Sequence, residues 1–251
     1  MNISLKLVTN QDEFDLWYNT FHTIFYKPED NFPKELMKTW WPHNLCYLIY
    51  VNRVIAGFRF VGFREKYGAG MVYYGGLLEE YRYKGIYPKA CDINEPELIE
   101  RGLNMFVVEC ENPFKTKKTE DIARMNTFIT KLDYKFISPE KIIYLRSYPP
   151  SPDIEDYKNQ IQDGYLLGFK VLNESNLKSL KPNKGFVTKE EYRHLYFLEN
   201  LLESDYQTLE DAQKERRSAR EFISNLDGSK EDKFELITKH NWLEYMNQID
   251  I

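Results

Sequence analysis

The sequence predicts an α/β (α+β) fold: a mixed, strongly twisted sheet flanked by helices over residues 1–148, then a mainly helical extension or small second domain over 149–251. Three observations carry this reading. Apolar, β-rich runs alternate with helical ones from Ile3 to Tyr148, as expected of a sheet with helices on its faces. Between Tyr73 and Phe136 the order is strand, tight basic turn, helix, buried strand, short helix and strand. The run Tyr148-Pro149-Pro150-Ser151-Pro152 is proline-dense and poor in helix and strand formers, which marks a linker.

Ile3–Val8 alternates apolar and polar residues and reads as the first strand. Thr9 and Asn10 are placed to cap a helix whose apolar stripe is Phe14, Leu16, Trp17, Phe21, Ile24 and Phe25, ending near Lys27-Pro28. A second short helix is expected between Phe32 and Trp41. Cys46–Tyr50 and Val54–Phe63 form a hairpin through Val51-Asn52-Arg53. Met71–Leu78 is the next strand, and Gly75-Gly76 inside it implies a bulge or a close backbone approach. Ile86–Gly102 is helical and closes on Gly102, with Pro96 expected to kink it or divide it after Asn94. Leu103–Cys110 is a buried strand, Ile122–Leu132 a helix, and Tyr134–Ile137 with Ile142–Tyr148 a closing hairpin.

Beyond the linker, Asp163–Leu172 contains one further strand, and Thr188 and Glu191 have capping-box spacing at the start of a helical region. Leu195, Leu198, Leu202, Leu209, Ala212, Ala219, Ile223 and Leu226 fall on three- and four-residue steps, interrupted where Asp205 and Arg216 take two of the positions. Two charges in the seam favour docking or a helical hairpin over a sustained coiled coil, with a homodimer through these helices as the other possibility.

The turn after the third long strand carries the chemistry. Arg82, Lys84 and Gly85 lie between Val72–Leu78 and a helix starting near Ile86, so free N–H groups at the helix N-terminus and two cations face one point. Gly85 allows a close backbone approach there. This turn, the strand-turn-helix-strand order around it and the phrase VNRVIAGFRFVGF resemble the core of the GNAT superfamily of N-acyltransferases over about the first 145 residues.

The resemblance implies an acyl-CoA, acetyl-CoA or a longer thioester, with its pyrophosphate held by Leu77, Leu78, Arg82, Tyr83, Lys84, Gly85, Ile86 and Tyr87. It also implies that Asn112 contacts the cofactor arm, although an Asn-Pro turn needs no such role. Gly75 and Gly76 would sit where the family's strand splays to admit the pantetheine arm. Two positions depart from the family pattern. Tyr87 stands where a small residue is usual, so its ring either crowds the phosphate path or stacks on the ligand. Ile129 stands where a tyrosine often protonates the leaving thiolate.

Acyl transfer to an amine needs a polarised thioester carbonyl, a deprotonated amine and a proton for the thiolate. Glu79 and Glu80 are the carboxylates nearest the expected slot and serve either as base or simply as charges opening the turn. Tyr73 and Tyr74, expected on opposite faces of their strand, offer an acid or a substrate contact; Glu109 and Glu111 are second-rank. Trp17, Phe21, Trp40 and Trp41 either line the acceptor site or fill the core. Two functions stay open: an N-acyltransferase acting on an amine of a small molecule or protein, and a catalytically inactive binding or interaction module of the same fold.

Composition narrows the classes further. The formal net charge is −5 and the sequence pI about 5.6, which argues against a general nucleic-acid or membrane-surface binder, and the basic run at 214–220 reads as a solvated helix face. Three cysteines without C-x-x-C spacing support neither disulfides nor zinc, and four scattered histidines give no metal-ligand set. No signal-like or membrane-spanning run is visible, so a cytoplasmic location is expected.

Overall fold

The computed structural model describes residues 1–26, 32–140, 146–147, 161–162, 164–173, 185–203 and 233–249, with side chains in the helix at 189–203 described as far as Leu198. The chain divides into two compact units, Met1–Phe106 and Val107–Ile251.

In the first unit, β1 (Ile3–Leu7), β2 (Asn44–Val51), β3 (Val54–Arg64) and β4 (Ala69–Leu77) form an antiparallel sheet in that order. The β2–β3 turn holds Asn52 and Arg53 at φ 49 and 70; two left-handed residues match the twist of a tight hairpin. Helix α1 (Gln11–Ile24) starts at Asn10, whose Oδ1 accepts from the Glu13 N–H at 3.0 Å. Its apolar stripe buries Phe14, Trp17 and Phe21 completely. The Trp17 indole meets Phe58 and Phe60 edge-on, with centroids at 5.5 and 5.3 Å. Helix α2 (Lys34–Trp40) adds Met37 and Trp40 to the same core.

The other face of the sheet receives α3 (Ile86–Glu100), which buries Ile86, Ala90, Cys91, Asn94 and Leu98. Of the two outcomes expected of Pro96, a kink or a division after Asn94, the division does not occur, and α3 runs through it as one helix. A proline removes a single ladder bond, to the carbonyl four residues back, and burial of Asn94 and Leu98 on either side of it holds the helix to the sheet. Gly102 closes the helix at φ 96, with its N–H bonded to Ile99 O and that of Leu103 to Leu98 O, both at 2.9 Å.

The second unit takes up β5 (Met105–Glu111) from Val107 onward, then α4 (Pro113–Thr116), α5 (Thr119–Lys131), β6 (Lys135–Ile137), β7 (Arg146–Ser147), β8 (Ile161–Gln162), β9 (Tyr165–Val171), β10 (Phe186–Thr188), α6 (Lys189–Glu203), β11 (Lys233–Ile237) and α7 (Trp242–Met246). Its sheet order is β5-β9-β6-β11-β10. The expected hairpin of 134–137 with 142–148 does not form among the described residues: β6 pairs antiparallel with β9 and β11, and Arg146–Ser147 pair with β8. Gly168 explains the choice of β9, since it lies opposite Phe136 and a Cβ there would come within 2.6 Å of that ring.

The described residues after 148 thus supply sheet as well as helix. Thr188 and Glu191 close a reciprocal capping box at the start of α6, Thr188 N–H to Oε2 at 2.7 Å and Glu191 N–H to Oγ1 at 3.2 Å. Leu195 and Leu198 are buried, and Tyr192 packs on Phe234 at 5.4 Å, so this part of the leucine stripe docks within its own unit. The rest of the stripe, from Leu202 to Leu226, lies outside the described side chains. Cys46, Cys91 and Cys110 are free and buried.

Two predictions follow from the first unit. Phe58→Ala, which empties the site between Trp17, Phe21 and Phe25, should cost about 3–5 kcal/mol in urea unfolding. Glu13 accepts from Lys6 and from Thr9, and the Lys6 bond chiefly holds its carboxyl down to about 2. A depressed carboxylate stabilises the fold above its unfolded pKa, about 4.3, and that contribution is lost as pH falls through about 2. Lys6→Ala should move the Glu13 titration upward in a carbon-detected NMR pH series, and an unmoved midpoint would contradict the assignment.

Candidate functional site

The strand-turn-helix element is built by three backbone devices. β4 ends at Leu77, and Leu78 passes its N–H to Ala56 O at 2.9 Å. A single 3-10 turn, Glu79–Tyr81, then reverses the chain, with Tyr81 and Arg82 donating to Leu78 O and Glu79 O. Tyr83 and Gly85 take left-handed conformations at φ 60 and 68, and α3 begins. Gly85 is its N-cap and offers no side chain to the first-turn N–H groups. Ile86 and Tyr87 therefore keep the orphan donors of a helix start, Pro88 having none. A Cβ at Gly85 would meet nothing within 4 Å, so the space in front of this helix end is open.

The flanking cations curl back onto the turn. Arg82 Nε donates to Leu77 O at 2.9 Å and Lys84 Nζ to Glu80 O at 2.6 Å, which ties both side chains to backbone carbonyls of the turn and the strand end before it. Arg82, Tyr83, Lys84 and Gly85 are exposed, and Tyr83 fully so. Leu77 and Ile86 are buried, and Leu78 is half-buried. Glu79 and Glu80 are exposed in the 3-10 turn.

Tyr87 neither blocks the helix end nor stacks in front of it. Its ring turns toward β4, where a Cβ on Gly75 would lie 1.9 Å from the phenol oxygen. Gly76 faces the other way, and a Cβ there would come within 2.8 Å of the Ile24 side chain. Both glycines thus mark close approaches. The bulge itself sits two residues earlier: Phe60 pairs with Tyr74 and Val61 with Val72, leaving Tyr73 as the extra residue.

That bulge corrects the expectation for the two tyrosines. Strict alternation places Tyr73 and Tyr74 on opposite faces, but an inserted residue breaks the period of two. Tyr73 packs on Phe60 at 5.4 Å and covers Gly62, while Tyr74 meets Phe21, Phe25 and Phe32 edge-on at 5.2–5.9 Å. Both rings stand on the face that carries α1. Trp17 and Phe21 are fully buried and Trp40 nearly so, core aromatics of the same cluster, and Trp41 stacks on Phe14 at 4.9 Å.

Behind Tyr87 lies a group the sequence reading passed over. Arg59, in the middle of β3 and in register with Gly75, is 1% exposed. Its Nη1 donates to Asn94 Oδ1 of α3 at 2.9 Å, its guanidinium lies 5.0 Å from the Phe106 ring centre, and its charge acts on the nearby Tyr87 phenol. Burial pushes that phenol well above its ordinary range, the guanidinium opposing the shift. The signal was present in the sequence: a lone charge inside the apolar strand VIAGFRFVGF is buried with partners or it is not in a central strand.

The remaining candidates belong to the second unit. Asn112 is 2% exposed, and its Oδ1 accepts from Phe114 N–H at 3.0 Å, capping α4. Glu111 pairs with Arg124, Glu109 is half-buried on β5, and Ile129 is fully buried on α5. Among the described residues no cluster of His, Cys, Asp and Glu has the makings of a metal site, and no helix is long and apolar enough to cross a membrane.

No protein-family profile matches the sequence, and comparison with curated proteins returns no match. Comparison with solved structures returns acetyltransferases. The chain is similar to the ribosomal-protein-S18-alanine N-acetyltransferase of Escherichia coli at 12% identity and TM-score 0.48, covering 72% of this chain and 99% of that one. It is similar to an acetyltransferase of Bacillus subtilis in complex with CoA at 12% identity and TM-score 0.43, over 68% and 99% of the two chains. A GNAT family acetyltransferase of Elizabethkingia anophelis with acetyl-CoA bound matches at 14% identity and TM-score 0.43, over 68% and 98%.

The Asn112 cap has a direct test. Asn112→Ala should lower stability by about 1 kcal/mol in thermal unfolding, and Asn112→Asp, which can still cap, should restore most of it.

Proposed function

We propose that the chain is an acyl-CoA-dependent N-acyltransferase, acting in the cytoplasm on an amine of a small molecule or protein, with acetyl as the expected acyl group. The observation that carries this reading is the turn Arg82–Gly85 and the start of α3: a glycine N-cap at φ 68, orphan helix N–H groups, open space at Gly85, and two cations in the same turn, each bonded to a nearby backbone carbonyl. Such a point favours a diphosphate. Leu77, Leu78, Tyr83 and Ile86 complete its walls in this reading, and Tyr87 contributes its backbone N–H rather than its ring.

The chemistry then falls on β4. Successive strand N–H groups point to opposite edges, and that of Leu78 is spent on Ala56. The N–H of Leu77 points away from β3 and is the donor this reading aims at the thioester carbonyl. Glu79 or Glu80, exposed at the strand end, takes the proton of the attacking amine directly or through water. The acyl carbon gains the amine nitrogen as the C–S bond breaks, and the sulfur leaves as a thiolate that must be protonated.

The second reading, a binding module without turnover, is favoured by the state of the candidate acids. The Tyr73 and Tyr74 rings are packed in the aromatic cluster, and Ile129 is a buried aliphatic. A homodimer through the C-terminal helices would rest on residues 204–232, outside the described residues, since Leu195 and Leu198 are buried in their own unit.

Calorimetric titration with CoA tests the site. Gly85→Asp should abolish binding while circular dichroism stays native, because Asp tolerates the left-handed conformation yet puts a carboxylate where the diphosphate sits. Arg82→Ala and Lys84→Ala should each weaken binding on the order of ten-fold, less at high salt. Undiminished affinity in a folded Gly85→Asp would place the anion elsewhere. Turnover with any amine in a broad panel separates the enzyme from the module.

A further inference from the structure

The end of β4 presents two different faces. Toward α3, Leu77 lies with Ile86 and Ala90 in one buried apolar cluster, so that face is filled. Toward α1, Gly76 has no side chain, and Ile24 and Phe25 stand over it: a Cβ there would lie 2.8 Å from the Ile24 side chain and 3.7 Å from the Phe25 ring. Phe25 and Phe32 meet Tyr74 of the same face edge-on, with centroids at 5.2 and 5.9 Å. Ile24, Phe25, Phe32, Tyr74 and Gly76 are each half-buried, so this apolar wall is still reached by solvent.

Charge is distributed as unevenly. The carboxylates of α1 lie in its first half, where Glu13 pairs with Lys6 and Asp15 with Lys34. Residues 16–25 carry none, and neither does β4; the next carboxylates along the chain are Glu79 and Glu80, in the turn beyond Leu78. A polyamine or a basic peptide laid on this wall would leave its further cations desolvated with no anion to pair them, and a cation over a ring recovers only part of that cost. A flat apolar body gains burial and ring contact instead.

An amine attacking a carbonyl held at the Leu77 N–H has the α3 face closed to it and comes along the α1 face. Resting on the acyltransferase reading above, we propose that the acceptor is a small primary amine with an aromatic body, an arylalkylamine, whose ring lies against Phe25, Phe32 and Tyr74 and whose nitrogen reaches the strand end at Leu77. Ile24 and Phe25, the side chains over Gly76, are the specificity-determining residues. The nitrogen bonds to the acyl carbon as the C–S bond breaks, and the proton lost by nitrogen ends on sulfur, giving an amide and free CoA.

The test uses the full chain with acetyl-CoA, reads release of the CoA thiol, and compares 2-phenylethylamine, ethylamine, spermidine and a lysine-containing peptide as acceptors. For the wild-type chain, kcat/KM for 2-phenylethylamine should exceed that for each of the others on the order of ten-fold or more. Phe25→Leu, which keeps an apolar side chain and removes the ring, should lower kcat/KM for 2-phenylethylamine on the order of ten-fold more than for ethylamine, chiefly through KM. Gly76→Ala, whose methyl displaces Ile24, should shift the same ratio in the same direction. A wild-type preference for spermidine or the peptide overturns the proposal without any variant and leaves acyl transfer standing, and so do equal losses for the two amines in both variants. Turnover of none of the four overturns it as well, and the CoA titration with the broad amine panel then decides whether acyl transfer itself stands.

Discussion

A permanently charged side chain in the middle of a sheet limits what can be built around it. Arg59 is 1% exposed in β3, and a buried cation persists only if the fold supplies acceptors and a polarisable wall. Asn94 from the middle of α3 supplies an acceptor and the Phe106 ring the wall, with the Tyr87 phenol of the first turn nearby. These contacts determine where α3 lies along β4 and how it is rotated. The helix start, with its orphan N–H groups, is thereby set at the end of β4.

The two faces of the first sheet are solved differently. On one, α1 offers a continuous aromatic stripe to Phe58, Phe60 and the bulged pair Tyr73 and Tyr74, and ring packing locks the strands. On the other, contact is polar at its centre and close. There, absence of a side chain is the structural requirement: Gly75 admits the phenol and Gly57 a backbone carbonyl, a Cβ on Gly57 falling 2.2 Å from Gly76 O. An apolar face gives rigidity, and a polar one places donors at defined points beside the turn.

The site was legible in part. Gly85 with two nearby cations between an apolar strand and a helix is a local pattern, and local patterns survive folding: the turn, the Asn10 cap, the Asn52-Arg53 hairpin and the Thr188–Glu191 box stand where the sequence put them. The faces of Tyr73 and Tyr74 were not legible, because one inserted residue at a bulge changes the phase of the strand and nothing in YYGG announces which residue is extra. The division of α3 at Pro96, one of the two outcomes expected there, failed for a related reason. The proline penalty is local, while the burial that outweighs it comes from the sheet beneath.

Composition, periodicity and capping chemistry determined the elements themselves, their order and the glycine turn, since each depends on residues within a few positions of one another. Tertiary structure decided which elements meet. It turned Tyr87 toward Gly75 rather than across the helix end, set β9 and β11 beside β6 with Gly168 leaving room for Phe136, and gave Asn112 to the cap of α4. Those outcomes depend on contacts between residues far apart in the chain, where steric fit and the needs of one buried charge outweigh any short-range preference.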